Sequence, residues 1–113
     1  MQPIEKIIIP QQNVIYLVNI SEIIFCQSDD CYTRVYVVGG QRHLIVKSLT
    51  KFAKELNSPI FIRVNQSYLV NKCYIKCIDK KNKCIGLLND QNIPFTVTLK
   101  ELLNLIGQMP HDR

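Results

Sequence analysis

The chain has 113 residues, of which 47% are hydrophobic and 20% are charged. This balance is typical of one folded domain and excludes a disordered chain. Fourteen lysines and arginines against nine acidic residues give a net charge of +5, which fits a nucleic-acid or other anionic partner and equally an ordinary basic protein.

The first part of the chain predicts short β-strands separated by turn residues, which is the pattern of an antiparallel β protein. The predicted strands cover residues 6–10, 13–20, 22–28, 32–38 and 42–47. Asp29-Asp30 and Gly39-Gly40 mark two of the turns, and the glycine pair is a strong signal for a two-residue hairpin. We expect three or four of these strands to form an antiparallel meander.

The apolar period becomes helical over residues 48–59, with Ser48 as the N-cap and Pro59 after the end of the helix. Strand patterns return at 60–65, 69–70, 74–79, 84–88 and 93–97. Thr98 and Glu101 form a capping box that predicts a last helix, ended by Gly107 and Pro110. The predicted fold class is mostly β, with antiparallel sheets and two short amphipathic helices.

The positive charge is concentrated in one short segment, where Asp79 is the one acidic residue. The basic residues of this segment are Lys72, Lys76, Lys80, Lys81 and Lys83. Such a cluster suits an anionic partner, whereas single lysines that flank strands are usually just solvated.

The five cysteines are an odd number in a chain without a secretion signal, which argues against a disulfide framework. Cys73 and Cys77 suggest a zinc site, but no second pair has zinc-ribbon spacing, and His43 and His111 are isolated. We therefore expect no metal, no cofactor and free thiols. Cys73, Cys77 and Cys84 lie in apolar strand segments and are predicted to be buried in the core.

The sequence contains no Gly-rich phosphate loop and no nucleophile elbow. Cys31 and His43 are the residues from which a thiol–imidazole pair would be built, but no third group orients them, and partners in a hairpin are the simpler interpretation. From its residues alone, the chain is a basic antiparallel β domain with polar loops. This pattern favours a binding module over an enzyme.

No apolar segment is long enough to span a membrane, and Glu5 and Lys6 interrupt any signal-peptide pattern. We therefore expect a cytoplasmic protein that does not associate with membranes. It is either a full-length chain or an excised domain.

The stretch FIRVNQSYLVN, residues 61–71, places two amides and a hydroxyl between two apolar segments. It resembles the hallmark of the LytTR DNA-binding domain, which reads Phe-x-Arg-x-His-Arg/Lys/Asn-Ser-Tyr/Phe-hydrophobic-Val/Ile-Asn. Three further segments resemble the family in the same order: EIIFCQSDDCYTRVYV, VKSLTKFAKEL and CIGLLNDQNIPFTVTLKELLNLI. The resemblance covers roughly residues 4–107, so residues 1–113 are interpreted as a single LytTR-like domain.

The resemblance implies an elongated stack of antiparallel β-sheets that reads the major groove of DNA with loops. The positions that it implies for base contacts are Asn65, Gln66, Cys31, Tyr32 and Thr98. The phosphate contacts expected with them are Arg63, Ser67, Lys47, Lys72 and Lys100. Amide side chains pair bidentately with adenine, whereas arginine and serine suit phosphate oxygens. Cysteine is a poor group for reading a base. Asp29, Asp30 or Tyr32 is therefore the alternative to Cys31 for the base contact at this turn. Asn71 is expected to have a structural role.

The resemblance therefore implies a sequence-specific double-stranded DNA-binding domain of a bacterial transcription regulator, without enzymatic activity. We expect repeated half-sites, a homodimer on DNA and a standalone regulator that a separate signalling partner controls. The alternative is a protein–protein interaction module of the same fold with weakened DNA binding. Single-stranded nucleic-acid binding ranks last because it needs exposed aromatic residues, and only 8% of the residues are aromatic.

Overall fold

The structure of the protein is a computed structural model that describes residues 5–107. The strands are β1 (Lys6–Gln11), β2 (Val14–Asn19), β3 (Ile23–Asp29), β4 (Tyr32–Val37), β5 (Arg42–Ile45), β6 (Phe61–Arg63), β7 (Tyr68–Asn71), β8 (Ile75–Asp79), β9 (Cys84–Leu87) and β10 (Asn92–Pro94). The helices are α1 (Leu49–Leu56) and α2 (Leu99–Ile106), with short 3-10 turns at Ile20–Glu22, Val38–Gly40 and Lys72–Tyr74. The prediction of a mostly β fold with two short helices is confirmed.

Three antiparallel sheets are stacked in this fold, and the middle one has five strands in the order β5-β4-β3-β7-β6. On one face, Cys26 and Leu69 pack with the β1–β2 hairpin and α1. On the other face, Phe25 and Val70 pack with α2 and with the sheet of order β10-β9-β8. Because both faces are covered, Ile23 to Cys26 are four consecutive buried residues.

The predicted meander of three or four strands is confirmed for three, β3, β4 and β5, and does not include β2. β1 and β2 form a sheet of their own, whereas β3, β4 and β5 are consecutive neighbours. The 3-10 turn Ile20–Glu22 separates β2 from β3, and β7 occupies the edge of β3 that β2 would need. The connection from β4 to β5 is also longer than the predicted two residues. Gly39 and Gly40 both have positive φ in this turn, which is closed by a 3.0 Å hydrogen bond from Val37 N to Gln41 O.

Both helices begin and end where the sequence predicts. Ser48 Oγ accepts from Lys51 N at 3.2 Å, and Thr98 and Glu101 form the reciprocal capping box. Asn57 ends α1 in the left-handed region, and Gly107 follows α2. Pro110 and His111 lie outside the described residues. Within residues 5–107, no helix is long and apolar enough to cross a membrane.

The prediction that Cys73, Cys77 and Cys84 are core residues is wrong. Cys73 is exposed in the 3-10 turn that precedes β8. Cys77 is exposed and Cys84 is half-buried, because β8 and β9 form an outer layer of which only one face is covered. Cys26 in the central sheet is the buried cysteine, and burial raises the pKa of its thiol. All five thiols are free, and residues 5–107 contain no cluster of three or more metal-ligating side chains.

Asn71 has the structural role that was predicted for it. Its side chain is buried, donates from Nδ2 to Ile23 O at 2.9 Å and accepts at Oδ1 from Cys73 N at 2.9 Å. It therefore joins the end of β7 to the start of β3.

Candidate nucleic-acid interface

Four connections between strands and helices meet along one edge of the stack. They are the β3–β4 turn at 30–31, the hallmark loop at 64–67, the β8–β9 turn at 80–83 and the segment 95–98 that leads into α2. Backbone hydrogen bonds join them in a row: Ser28 N to Ser67 O at 2.8 Å, Thr96 N to Val64 O at 3.0 Å and Phe95 N to Lys83 O at 3.1 Å. We call this row the loop edge.

The side chain of Asn65 holds the hallmark loop in shape. Its Oδ1 accepts from Ser67 N at 2.7 Å and from Tyr68 N at 2.9 Å, which is an Asx-type turn. Its Nδ2 donates to Pro94 O at 2.7 Å. Bidentate pairing with adenine needs a free acceptor and a free donor on one amide, and the acceptor here is fully used. The prediction that Asn65 reads a base therefore does not fit this geometry.

Arg63 supports the same loop from the side of α1. Its guanidinium donates to Asn65 O at 2.9 Å, to Gln66 O at 2.7 Å and to Thr50 Oγ1 at 3.3 Å. These bonds use three of its five N–H groups, so two are left for a phosphate. Partial burial lowers the pKa of Arg63, but an arginine stays protonated at neutral pH.

Gln66 and Ser67 are exposed at the tip of the hallmark loop. The backbone of this tip is fixed, because Arg63 binds the Gln66 carbonyl and the backbone N–H and carbonyl of Ser67 are both bonded. Within residues 5–107, the side-chain amide of Gln66 makes no hydrogen bond to the protein. A fixed backbone with a free amide is an arrangement suited to reading a base edge.

The β3–β4 turn places Cys31 and Tyr32 next to the hallmark loop, and both are exposed. Asp29 and Tyr32 form the last cross-strand pair, so Asp30 and Cys31 make a two-residue turn with Asp30 at φ 61°. Asp29 is held by Arg34 at 2.7 Å, which leaves Asp30, Cys31 and Tyr32 as the groups facing outward.

A hydrogen-bonded network behind these two loops was not visible in the sequence. Gln27 Nε2 donates to the Tyr68 hydroxyl at 3.1 Å, and the Tyr36 hydroxyl donates to Gln27 Oε1 at 3.2 Å. It links β7, β3 and β4 beneath the loops. The pairing of β3 with β7 places Gln27 opposite Tyr68, and the pairing of β3 with β4 brings Tyr36 beside them; the sequence does not show the register between β3 and β7.

Thr98, Lys100 and Lys47 lie at or beside the loop edge. Thr98 Oγ1 accepts from Glu101 N at 3.1 Å as the N-cap of α2, and its hydroxyl can still donate. Lys100 is exposed in the first turn of α2. Lys47 lies beside the β3–β4 turn, since its carbonyl accepts from Thr33 Oγ1 at 2.9 Å, but its ammonium is paired with Glu55.

Lys72 does not lie with the other predicted phosphate contacts. It follows the end of β7 that is opposite to the hallmark loop, about 13 Å away for a four-residue strand. A Cβ on Gly107 would lie 3.4 Å from its Nζ, so its ammonium is near the C-terminal end of α2, where the helix dipole favours a cation.

The turn at 80–83 belongs to the loop edge, although no contact was predicted there. Lys80, Lys81 and Lys83 are all exposed. The neighbouring carboxylate of Asp79 is turned onto the backbone, where it accepts from Asn82 N at 3.0 Å and from Lys81 N at 3.1 Å, and these bonds lower its pKa. The concentration of lysines in this segment was the signal that pointed to it.

Comparison with known proteins identifies the chain. The model of the LytTr DNA-binding domain matches residues 13–107. Two heme-containing CO-sensing transcriptional regulators of Paraburkholderia xenovorans, RcoM 1 and RcoM 2, are 29% and 28% identical over 109 residues. The match covers 89% of this chain but 40% of each regulator, so the chain spans less than half the length of these relatives.

A solved LytTr DNA-binding domain from Bacillus cereus has the same fold, with a TM-score of 0.76 and 21% sequence identity. The superposition covers 94% of this chain and 100% of that chain. Together with the hallmark loop, the family match over residues 13–107 shows that this chain belongs to the LytTr DNA-binding domain family.

Proposed function

We propose that this protein regulates transcription by binding a specific sequence of double-stranded DNA through its loop edge, without catalysing a reaction. The observation that carries the proposal is the hallmark loop, in which Asn65 and Arg63 hold the backbone and leave the amide of Gln66 free. Membership of a DNA-binding family supports duplex DNA as the partner of that loop.

Gln66 is the central base-reading residue in this proposal. Its amide can donate to N7 and accept a hydrogen from N6 of an adenine in the major groove. Little conformational freedom beyond that of its own side chain is lost on binding, because the loop backbone is already hydrogen-bonded. Cys31, Tyr32 and Thr98, in the loops on either side, supply the neighbouring base contacts.

Phosphate contacts come from the groups that surround these loops. Ser67, Lys100, Lys47 and the two remaining N–H groups of Arg63 are the members expected from the sequence. The lysines of the turn at 80–83 extend the same edge by one more positively charged loop. Such contacts set the position of the protein on DNA and dominate the salt dependence of its affinity.

The names of the relatives, which are transcriptional regulators, support a regulatory role. A domain of this size contacts a short stretch of DNA, so we expect two copies to act on repeated half-sites about one helical turn apart. A separate signalling partner would control occupancy. A protein-interaction module of the same fold is the competing function.

Selection of bound fragments from a random duplex pool, followed by titration of the enriched sequence, tests this function. We expect a repeated motif to be enriched, and a tandem site to bind more tightly than a single half-site. A pool that stays random after selection, together with an affinity that does not change with salt, would favour the interaction module.

A further inference from the structure

The β1–β2 hairpin has an exposed apolar face that the loop edge does not use. Its inner face places Ile9 and Val18 in the core, while Ile8, Ile15 and Leu17 on the other face are 68%, 65% and 61% exposed. The register pairs Ile8 with Leu17 and Pro10 with Ile15, so these four side chains form one patch. We call it the hairpin patch.

The hairpin patch continues onto the neighbouring edge of the central sheet. Ile8 and Pro10 line a cleft together with Leu44 and Val46, and Val46 is 77% exposed. Contiguous exposed apolar surface of this kind marks a site of protein–protein contact.

The outer edge of β2 is open for pairing with another strand. The backbone N–H of Ile20 donates to Glu5 O at 2.6 Å. Because N–H directions alternate along a strand, the N–H of every second residue back along β2 also points to β1. The N–H groups of Ile15 and Leu17 therefore point outward. The same alternation turns Pro10 to the outer edge of β1, where it offers no N–H and blocks that edge. From Val14 to Val18, β2 has no proline, glycine or charge.

We propose that β2 pairs antiparallel with β2 of a second copy of this chain, so that the two hairpins form one four-stranded sheet. With the two-fold axis at Tyr16, Ile15 faces Leu17 of the second copy and Val14 faces its Val18, so every pair is apolar. The outward N–H groups of Ile15 and Leu17 then meet carbonyls of the second copy. This surface is isologous, as a two-fold dimer requires.

A second copy fits better than an unlike protein because the segment is complementary to itself. Each chain carries a net charge of +5, which opposes self-association, but the contact segment of β2 is uncharged. Tyr16 anchors the strand to the rest of the molecule, since its ring lies 5.0 Å from that of His43. The proposal does not depend on DNA binding.

Sedimentation velocity without DNA, over a range of protein concentrations, tests the dimer. We expect the wild-type protein to shift from monomer to dimer as concentration rises. Ile15→Lys places a charge in the patch, and Leu17→Pro removes an outward N–H while keeping the bonds to β1. Each should weaken the dimer at least about tenfold.

Leu88→Lys is the matched control, because Leu88 is 60% exposed outside the hairpin patch and this variant should dimerise like the wild type. Circular dichroism checks that each variant is folded. A wild type that stays monomeric at every concentration overturns the proposal. So does a dimer that survives both hairpin variants, or one that only Leu88→Lys disrupts.

Discussion

Asn65 on the hallmark loop donates a 2.7 Å hydrogen bond from Nδ2 to the carbonyl oxygen of Pro94, and so joins the five-stranded sheet to the three-stranded sheet. Together with the two bonds that its Oδ1 accepts, this contact makes one amide side chain the organiser of the loop edge.

Asn65→Ala should lower the free energy of unfolding by about 1–3 kcal/mol, because it leaves the N–H groups of Ser67 and Tyr68 without their acceptor. It should also weaken binding to every DNA sequence similarly, because the loop loses its shape. Asn65→Asp is the control for stability, since it keeps the acceptor for Ser67 and Tyr68; it loses the bond to Pro94 and adds a negative charge, so its DNA binding is not compared. Urea denaturation and DNA titration measure both effects, and an unchanged stability would show that the loop does not need Asn65.

Gln66→Ala should cost about 1–3 kcal/mol of binding free energy on the preferred site and relax the preference at one base pair. Stability should change by no more than about 0.5 kcal/mol, since the side chain is exposed and makes no bond within the described protein. The salt dependence should stay the same because no charge is removed. Competition binding against single-base variants of the site is the measurement. If all sequences weaken equally, base reading has to be assigned to the β3–β4 turn instead.

Lys81→Gln should reduce the salt dependence of DNA binding. With four to six phosphates contacted, log K should fall against log salt with a slope of about −4 to −5, and the loss of one contact removes about 0.9 of that. Lys72→Gln is the control for an equal change of charge, because Lys72 lies at the other end of β7 and should leave the slope nearly unchanged. Equal slopes for the two variants would contradict this assignment of the basic turn.

Cys26 should make stability fall in alkaline solution. Burial raises the pKa of its thiol above the ordinary value of 9.0, so the unfolded chain loses this proton at a lower pH than the folded chain. The contribution of the protonated Cys26 thiol to the free energy of unfolding is complete below pH 9.0. It is lost as the pH rises toward the folded-state pKa, by up to about 1.4 kcal/mol per pH unit.

Urea denaturation of the wild type and of Cys26→Ala at a series of alkaline pH values isolates this effect, because other titrating groups contribute to both proteins. The variant should lose stability less steeply with pH. Parallel curves would mean that Cys26 does not titrate differently in the two states. Cys31→Ser, at an exposed turn, should leave stability within about 1 kcal/mol of the wild type.

Local patterns in the sequence predicted most elements of this fold. The capping box of Thr98, the N-cap Ser48 and the alternating strands depend on neighbouring residues, and the structure confirms them. Which face of a strand is covered depends on the layer that packs on it, and this is why Cys77 was assigned to the core when it faces solvent. The separate β1–β2 sheet was missed for the same reason.

The hallmark segment was recognisable in the sequence, but the contacts within it needed the structure. The partner of the Asn65 amide is the carbonyl of Pro94, 29 residues further along the chain, and no local pattern shows that pairing. Lys72 and Lys81 look alike in the sequence, but only Lys81 lies on the loop edge. Amide and lysine side chains carry no local sign of what they bind.

Asn65 and Arg63 hold the backbone of the hallmark loop, whereas the side chain of Gln66 is free. In the proposed function, this division of roles affects how such a regulator acquires new target sites. The two supporting residues keep the loop in place whatever side chain stands at position 66, because they bind backbone atoms of that residue and its neighbours. With base reading by Gln66 as proposed, a single codon change at this position alters the preferred operator without passing through a misfolded intermediate.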